Sequence, residues 1–255
     1  MTSENSILYT DKLTKRFGGL IAVNEVSITA RKGLITLLIG PNGCGKTTFV
    51  NTVTGYYKPD GGRAVFEGDD ITGLPLHKTY EKGLVRTFQI PSPFLRLSVL
   101  ENLLIASRGH PGEMFTKHIF KSSWKKFEDE KIDRAFDIMK TLGLERYWDK
   151  EAASLDAGAL KLIEIGRALM SDAKMLVLDE PIAGVNPKLA HNIFSHIVKL
   201  RDEMKLSFLI IEHRLDIALK YVDFVYAMHQ GRIISEGAPE EVSRDENVRK
   251  VYIGG

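Results

Sequence analysis

The sequence predicts an α/β fold whose parallel-sheet core carries an antiparallel β portion and an inserted helical subdomain. Three observations lead there. Short β-type segments fill the first third, charge-rich sequence with helical spacing fills the middle, and strands alternate with helices in the last third. At 255 residues, the chain exceeds the roughly 100–200 expected of one ordinary domain, which suits a core with a subdomain.

In the first third, Ile7–Leu13, Ala22–Thr29, Leu34–Ile39 and Arg63–Phe66 read as strands, separated by turns at Gly18-Gly19, Gly33 and Asp60-Gly61-Gly62. Leu34–Ile39 is almost wholly apolar, the pattern of a strand covered on both faces, and a helix is predicted from Lys46 to Thr54. Pro91 and Pro93 open the middle, where Trp124, Phe127, Ile132, Ala135, Phe136, Ile138, Met139 and Leu142 recur at near-helical spacing. In the last third, Met175–Leu178 and Ser207–Ile211 are expected strands, and Pro187–Glu203 and Leu215–Tyr221 expected helices. Phe224–Met228 and Arg232–Ser235 form an antiparallel pair turning at His229-Gln230-Gly231, and Ala238–Tyr252 is helical. The expected domains are 1–90 with 169–238 as the α/β core, 91–168 as the helical subdomain, and 239–255 as a C-terminal extension.

The composition is 44% hydrophobic and 27% charged, with a formal net charge of +2, too small to argue for nucleic acid or an anionic membrane surface. The single cysteine, Cys44, excludes an intramolecular disulfide framework or a multi-cysteine metal site and suits a reducing cytosol. Met1–Thr10 lacks the charged and apolar regions of a signal peptide. The longest apolar runs fall far short of the ~20 residues of a spanning helix, so any link to a membrane is expected through partners.

The strongest motif is Gly40-Pro41-Asn42-Gly43-Cys44-Gly45-Lys46-Thr47-Thr48, which fits G-x-x-x-x-G-K-[ST] between a buried strand and a helix. Its glycines let backbone N–H groups wrap a nucleotide's β- and γ-phosphates at a helix N-terminus, making Asn42, Gly43, Cys44, Gly45, Lys46, Thr47 and Thr48 candidate contacts. Lys46 is expected to reach the β/γ oxygens and Thr47 to ligate Mg²⁺. A chance glycine turn before a lysine is the plain alternative. Cys44, near helix N–H groups, is expected to favour the thiolate, unless it is only a small residue the loop tolerates.

Met175-Leu176-Val177-Leu178-Asp179-Glu180 runs four apolar residues into two acids at a strand's carboxyl end, where α/β ligand sites lie. Strand alternation is expected to put the acids on opposite sides, Asp179 holding Mg²⁺ through water and Glu180 orienting an attacking water. An ordinary strand entering a polar loop is the alternative. His213 follows the strand expected beside that one, which makes it a γ-phosphate candidate rather than only a structural histidine.

Taken together, the phosphate loop, the Asp179-Glu180 pair, His213 and the intervening helical region resemble an ABC-transporter ATPase over nearly the whole chain. The resemblance implies a P-loop NTPase core, ATP and Mg²⁺, and action as half of a dimer. It implies that Phe17 stacks on adenine, that Val23 joins the nucleotide site, and that Gln89, in Arg86-Thr87-Phe88-Gln89, touches Mg²⁺ and the water. Independently, Phe17 could be a core aromatic and Gln89 a loop amide. Ala183-Gly184-Val185-Asn186-Pro187 falls at the family's dimer-contact loop, with Asn186 where most members carry aspartate. Val85–Gln89, Val99–Leu104, Glu180–Pro187, Ile211-Glu212-His213, the charged insertion 109–150 and the closing Val251–Gly255 are similar to ATP-binding subunits of branched-chain amino-acid importers. Relatives of similar sequence serve urea or lipopolysaccharide transport. The implied partners are a second ATPase, permease subunits touched by residues 89–97 and, indirectly, a substrate-binding protein, at the cytoplasmic face of the membrane and without nucleic acid. A low-activity regulatory subunit and a soluble ABC ATPase of DNA repair or translation are the alternatives; the latter generally carry two ATPase units or long coiled coils.

One motif departs from the family. Where Leu-Ser-Gly-Gly-Gln opens a helix and closes over the other subunit's γ-phosphate, this chain has Leu155-Asp156-Ala157-Gly158-Ala159. Asp156 and Gly158 are the residues aligned with that contact. Two unit charges about 4 Å apart repel by roughly 4 kcal/mol at an effective dielectric near 20. Mg²⁺ and the partner's lysine would reduce that, and a residue of ~1–2 kcal/mol still weakens the site on the order of tenfold. Aspartate is also among the best helix N-caps, so Asp156 is expected to stabilise its own helix in either case. The departure predicts a heterodimer in which a partner supplies the intact signature.

Overall fold

A turn at Gly18-Gly19 folds the first strand, β1 (Ser6–Phe17), back onto β2 (Leu20–Val26), and β3 (Thr29–Arg31) pairs further up the same strand. The computed structural model describes residues 5–87, 93–108 and 121–253. The single strand expected over Ala22–Thr29 is therefore two. Glu25 takes a left-handed φ of 55°, and the buried Thr10 hydroxyl spans the break, donating to the Val26 carbonyl (3.1 Å) and accepting from the Ile28 N–H (3.0 Å). The Thr10 N–H also donates to the Ile28 carbonyl (2.9 Å), so one distant residue spans the break by side chain and backbone together, which a β-propensity pattern does not reveal.

β4 (Ile35–Ile39) is buried at every position, as its apolar run predicts, and delivers the chain to α1 (Lys46–Val53). β5 (Gly61–Phe66) and β6 (Asp69–Asp70) complete an antiparallel sheet in the order β2-β1-β5-β6, with β3 beside β1. Next come α2 (Leu76–Glu81) and the three-residue β7 (Leu84–Arg86), both too short to leave a readable periodicity.

Residues 90–173 form a separate unit. It holds α3 (Val99–Leu104), α4 (Lys121–Leu142), single 3₁₀ turns at Glu145–Tyr147 and Ala152–Ser154, and α5 (Ala157–Met170). A reciprocal capping box fixes the start of α3: the Glu101 N–H donates to the Ser98 hydroxyl (3.2 Å), and the Ser98 N–H to the Glu101 carboxylate (2.7 Å). Ala135, Ile138, Met139 and Leu142 of α4 are buried, whereas Phe136 lies at the surface against Trp148. Gly166 lets α5 approach α3 and α4, for a Cβ there would sit 3.2 Å from Leu103 and 3.3 Å from Leu142. A boundary at residue 168 would cut α5, so this unit closes at Ala173.

The first unit resumes with β8 (Met175–Asp179), α6 (Pro187–Met204), β9 (Ser207–Ile211), α7 (Leu215–Ala218), β10 (Phe224–His229), β11 (Arg232–Gly237), α8 (Pro239–Arg244) and α9 (Glu246–Ile253). Asn186 caps α6 by accepting from the Leu189 N–H (2.9 Å), with Pro187 in the first turn. α7 ends three residues before the expected Tyr221, whose ring stacks on Phe194 of α6 (5.2 Å, 11°). The second sheet runs β11-β10-β4-β9-β8-β7, parallel except for β11. The terminal helix is broken at Asp245, whose carboxylate accepts from the Asn247 N–H (2.7 Å). α8 and α9 pack within the first unit rather than extending from it, burying Val242 and Val248. One hydrophobic cluster joins both sheets through α1, from Leu8 and Phe66 through Phe49 to Val177 and Leu209.

Phe208, in the centre of the parallel sheet, is 0% exposed. Phe208→Ala should cost about 3–5 kcal/mol, read as a lower urea midpoint with an unchanged slope.

Candidate active site

The phosphate loop is shaped by what surrounds it. A Cβ on Gly40 would lie 2.2 Å from the Met228 carbonyl, and one on Gly45 2.2 Å from the Ala22 carbonyl, with φ of 154° and 111°. Only glycine fits at either place. From outside, the Gly231 N–H donates to the Cys44 carbonyl (2.8 Å). Lys46 is 7% exposed, and its ammonium donates to the carbonyls of Gly40 (2.7 Å) and Pro41 (3.0 Å). Beside the loop lies a cleft of about 260 Å³ lined by Phe17, Leu20, Ala22, Asn42, Gly43, Gly45, Lys46, Thr47, Thr48 and Glu180.

Phe17, Asn42, Gly43, Gly45, Lys46, Thr47, Thr48 and Glu180 thus share one cavity, whereas the candidates Val23, Cys44, Asp179 and His213 of the same unit do not line it. Val23 is fully buried in the core, because strand alternation turns its neighbour Ala22 toward the cleft instead. Cys44 is 5% exposed. Burial pushes its thiol above the ordinary range, outweighing the Lys46 ammonium 3.8 Å away and the loop N–H groups. The expectation of a favoured thiolate is therefore reversed. Gln89 lies outside the described residues.

Asp179 ends β8 at 5% exposure, and Oδ2 accepts from the Arg86 guanidinium at 2.6 Å. Arg86, at 10% exposure, also donates to the Asn51 side chain of α1. Glu180 lies beyond the strand at a left-handed φ of 52°, so that turn, rather than strand alternation, sets its direction. A non-glycine residue there costs of order 1 kcal/mol, a local strain common at functional sites. Parallel pairing of β8 with β9 sets Asp179 against Ile211, and His213 Nδ1 lies 3.7 Å from Glu180 Oε1. The donor chemistry suits a hard divalent cation: the Thr47 hydroxyl and the Asp179 carboxylate offer oxygen donors, and Mg²⁺ takes few protein groups beside substrate phosphates.

The motif reading gave several residues in or beside the site no role. Glu212 is 0% exposed and accepts from the N–H groups of Ile182 (2.9 Å) and His213 (3.2 Å). Burial pushes its carboxyl up, against the pull of those N–H groups. Arg214 donates to the Val185 carbonyl (3.0 Å). Burial beside the Gly40 backbone pushes the Tyr252 phenol of α9 up to about 12. The Glu212–Ile182 and Arg214–Val185 hydrogen bonds both depend on tertiary contact.

In the helical unit, Asp156 is the N-cap of α5, accepting from the Ala159 N–H (2.8 Å), and Gly158 is buried.

A buried parallel strand, a glycine loop and a helix, with a second strand's acids at the loop, define a phosphate-loop nucleotide-binding protein. Residues 23–183, more than half the chain, match the ABC transporter family model, and residues 232–255 match that of the branched-chain amino acid ATP-binding cassette transporter. The chain belongs to the ABC transporter family, as an ATPase. It is 51% identical, over 97% of its length and 95% of the relative's, to a probable branched-chain amino acid transport ATP-binding protein of Archaeoglobus fulgidus. A relative of the same description from Methanocaldococcus jannaschii is 47% identical over the full length of both. A crystal structure of a nucleotide-free ATP-binding cassette from an ABC transporter superposes with a TM-score of 0.84 at 46% identity, covering 98% of this chain and 100% of that one.

Two measurements test the site. Arg86→Met leaves a buried carboxylate unpaired and should lower stability by about 3 kcal/mol in urea unfolding. Maleimide should label Cys44 more slowly in the folded chain than in the unfolded chain at pH 7, since burial both raises its thiol and shields the sulfur.

Proposed function

We propose that this chain binds and hydrolyses ATP to power a branched-chain amino-acid importer, as one half of a heterodimer of ATPase subunits. Its partners are the second ATPase and transmembrane permease subunits, with a substrate-binding protein engaged indirectly. It sits peripherally at the cytoplasmic face of the membrane; among the described residues no helix is long and apolar enough to cross one. The observation that carries the cargo class is the match of residues 232–255 to the branched-chain family model, and the descriptions of the archaeal relatives agree with it.

In this reading Phe17 stacks on the base, and the loop N–H groups from Asn42 to Thr48 with Lys46 hold the phosphates. Thr47, Asp179 and Gln89 hold Mg²⁺, which when bound neutralises charge on the β- and γ-phosphate oxygens. Arg86 orients the Asp179 carboxylate. Glu180 polarises the attacking water, and His213, 3.7 Å from it, donates to the γ-phosphate. Catalysis is then positioning and charge stabilisation of phosphoryl transfer to water. Phe94 and Leu95, apolar and about half exposed on the helical unit, support residues 89–97 as the permease contact.

Asp156 faces the other subunit's γ-phosphate when the dimer closes, where its charge opposes closure; in the free chain it acts only as a cap. The experiment is steady-state Mg-ATP hydrolysis against protein concentration for the parent and Asp156→Ser. Serine caps as well as aspartate, so stability should stay within ~0.5 kcal/mol. The variant should show activity that rises with concentration and exceeds the parent by about tenfold. Equal, robust activity in both would remove the heterodimer argument.

A further inference from the structure

The cleft owes part of its shape to a segment outside every motif. Phe17 lines the cleft at 43% exposure, so enclosure alone does not fix its ring. Contacts from the stretch after α1 surround it instead. The Tyr57 ring meets Phe17 edge-on, with centroids 5.2 Å apart and planes at 79°. Tyr56 packs against Tyr57 in the same manner, at 5.0 Å and 72°. The Lys15 ammonium lies 5.5 Å from the Phe17 centroid and is itself held by the Lys58 carbonyl (2.8 Å) and Asp60 (3.0 Å). Asp60 also accepts from the Arg16 N–H at 2.6 Å.

That stretch is anchored to the phosphate-loop helix, because the N–H groups of Tyr56 (2.8 Å) and Tyr57 (3.0 Å) both donate to the Asn51 carbonyl. An exposed ring that must stop rotating on binding loses affinity to that ordering, and a ring already held does not. Edge-to-face packing is a preferred aromatic arrangement, and it covers at most one face of either ring.

We infer that Tyr57 is a positioning residue for the nucleobase: it holds the Phe17 ring ready to stack and ties that platform to the helix that follows the phosphate loop. The inference rests on the reading of Phe17 as the base platform. The apolar part of the cleft lining, Phe17, Leu20 and Ala22, offers no side-chain donor or acceptor to a base edge. The platform therefore works by stacking, which every base accepts.

The test is calorimetric titration of ATP, and separately of inorganic triphosphate, into the full chain and into Phe17→Ala, Tyr57→Ala, Tyr57→Phe and the double alanine variant. Phe17→Ala should weaken ATP about tenfold or more and leave triphosphate unchanged. Tyr57→Ala should weaken ATP by about three- to tenfold, again sparing triphosphate, while Tyr57→Phe keeps the parent affinity. Because Tyr57 acts through Phe17, the double variant should bind ATP no more weakly than Phe17→Ala. The inference is overturned if Tyr57→Ala binds ATP like the parent, loses triphosphate equally, or adds its full effect to that of Phe17→Ala. If Phe17→Ala itself binds ATP normally, the base-platform reading falls and Tyr57 with it; the first three outcomes leave that reading standing.

Discussion

Register across three parallel strands governs the site. Leu38 of β4 pairs with Ile211 of β9, and Ile211 with Asp179 of β8. The strands therefore end level, and Gly40, Glu180 and His213 each follow within two residues of that row. One slipped residue in either pairing would separate the phosphate loop from the acids by a strand repeat, about 3.3 Å. The apolar residues of β4, β8 and β9 hold the register by burial on both faces. The chemistry at the strand ends is polar, and the force that aligns it is hydrophobic.

Charge enters this frame sparingly. Arg86 joins α1, β7 and β8 through Asn51 and Asp179. The ion pair stabilises the fold only modestly, because desolvation offsets much of its attraction. Its larger effect is to hold the Asp179 carboxylate in one orientation at the end of β8.

Much of the fold was legible because its signals are local. The phosphate loop, the β4 and β9 strands and α6 are contiguous patterns, and the predicted and observed ranges agree to within a residue or two. What escaped is non-local. The gap between β2 and β3 depends on the Thr10 hydroxyl, more than a dozen residues away. Short β7 is a strand only because β8 lies beside it. At the site, motif spacing brought forward Lys46, Thr47 and Glu180, but the pattern around Val23 could not say which strand face meets the cleft. The Cys44 expectation failed for a related reason: helix N–H groups are visible in sequence, whereas the burial that opposes them is not. Arg86, Glu212 and Tyr57 have no spacing rule, since each acts on a residue distant in the chain or through a backbone amide.

Glu212 and Arg214 flank His213 and both reach into the loop after β8, one to the Ile182 N–H and the other to the Val185 carbonyl. Two loops from adjacent strands are thereby stitched at two points. A change of length or backbone path in residues 181–186 would strand a buried carboxylate and tilt the histidine between the stitches. The histidine therefore takes its position from two loops at once, and a change in either is felt at the ring through both contacts.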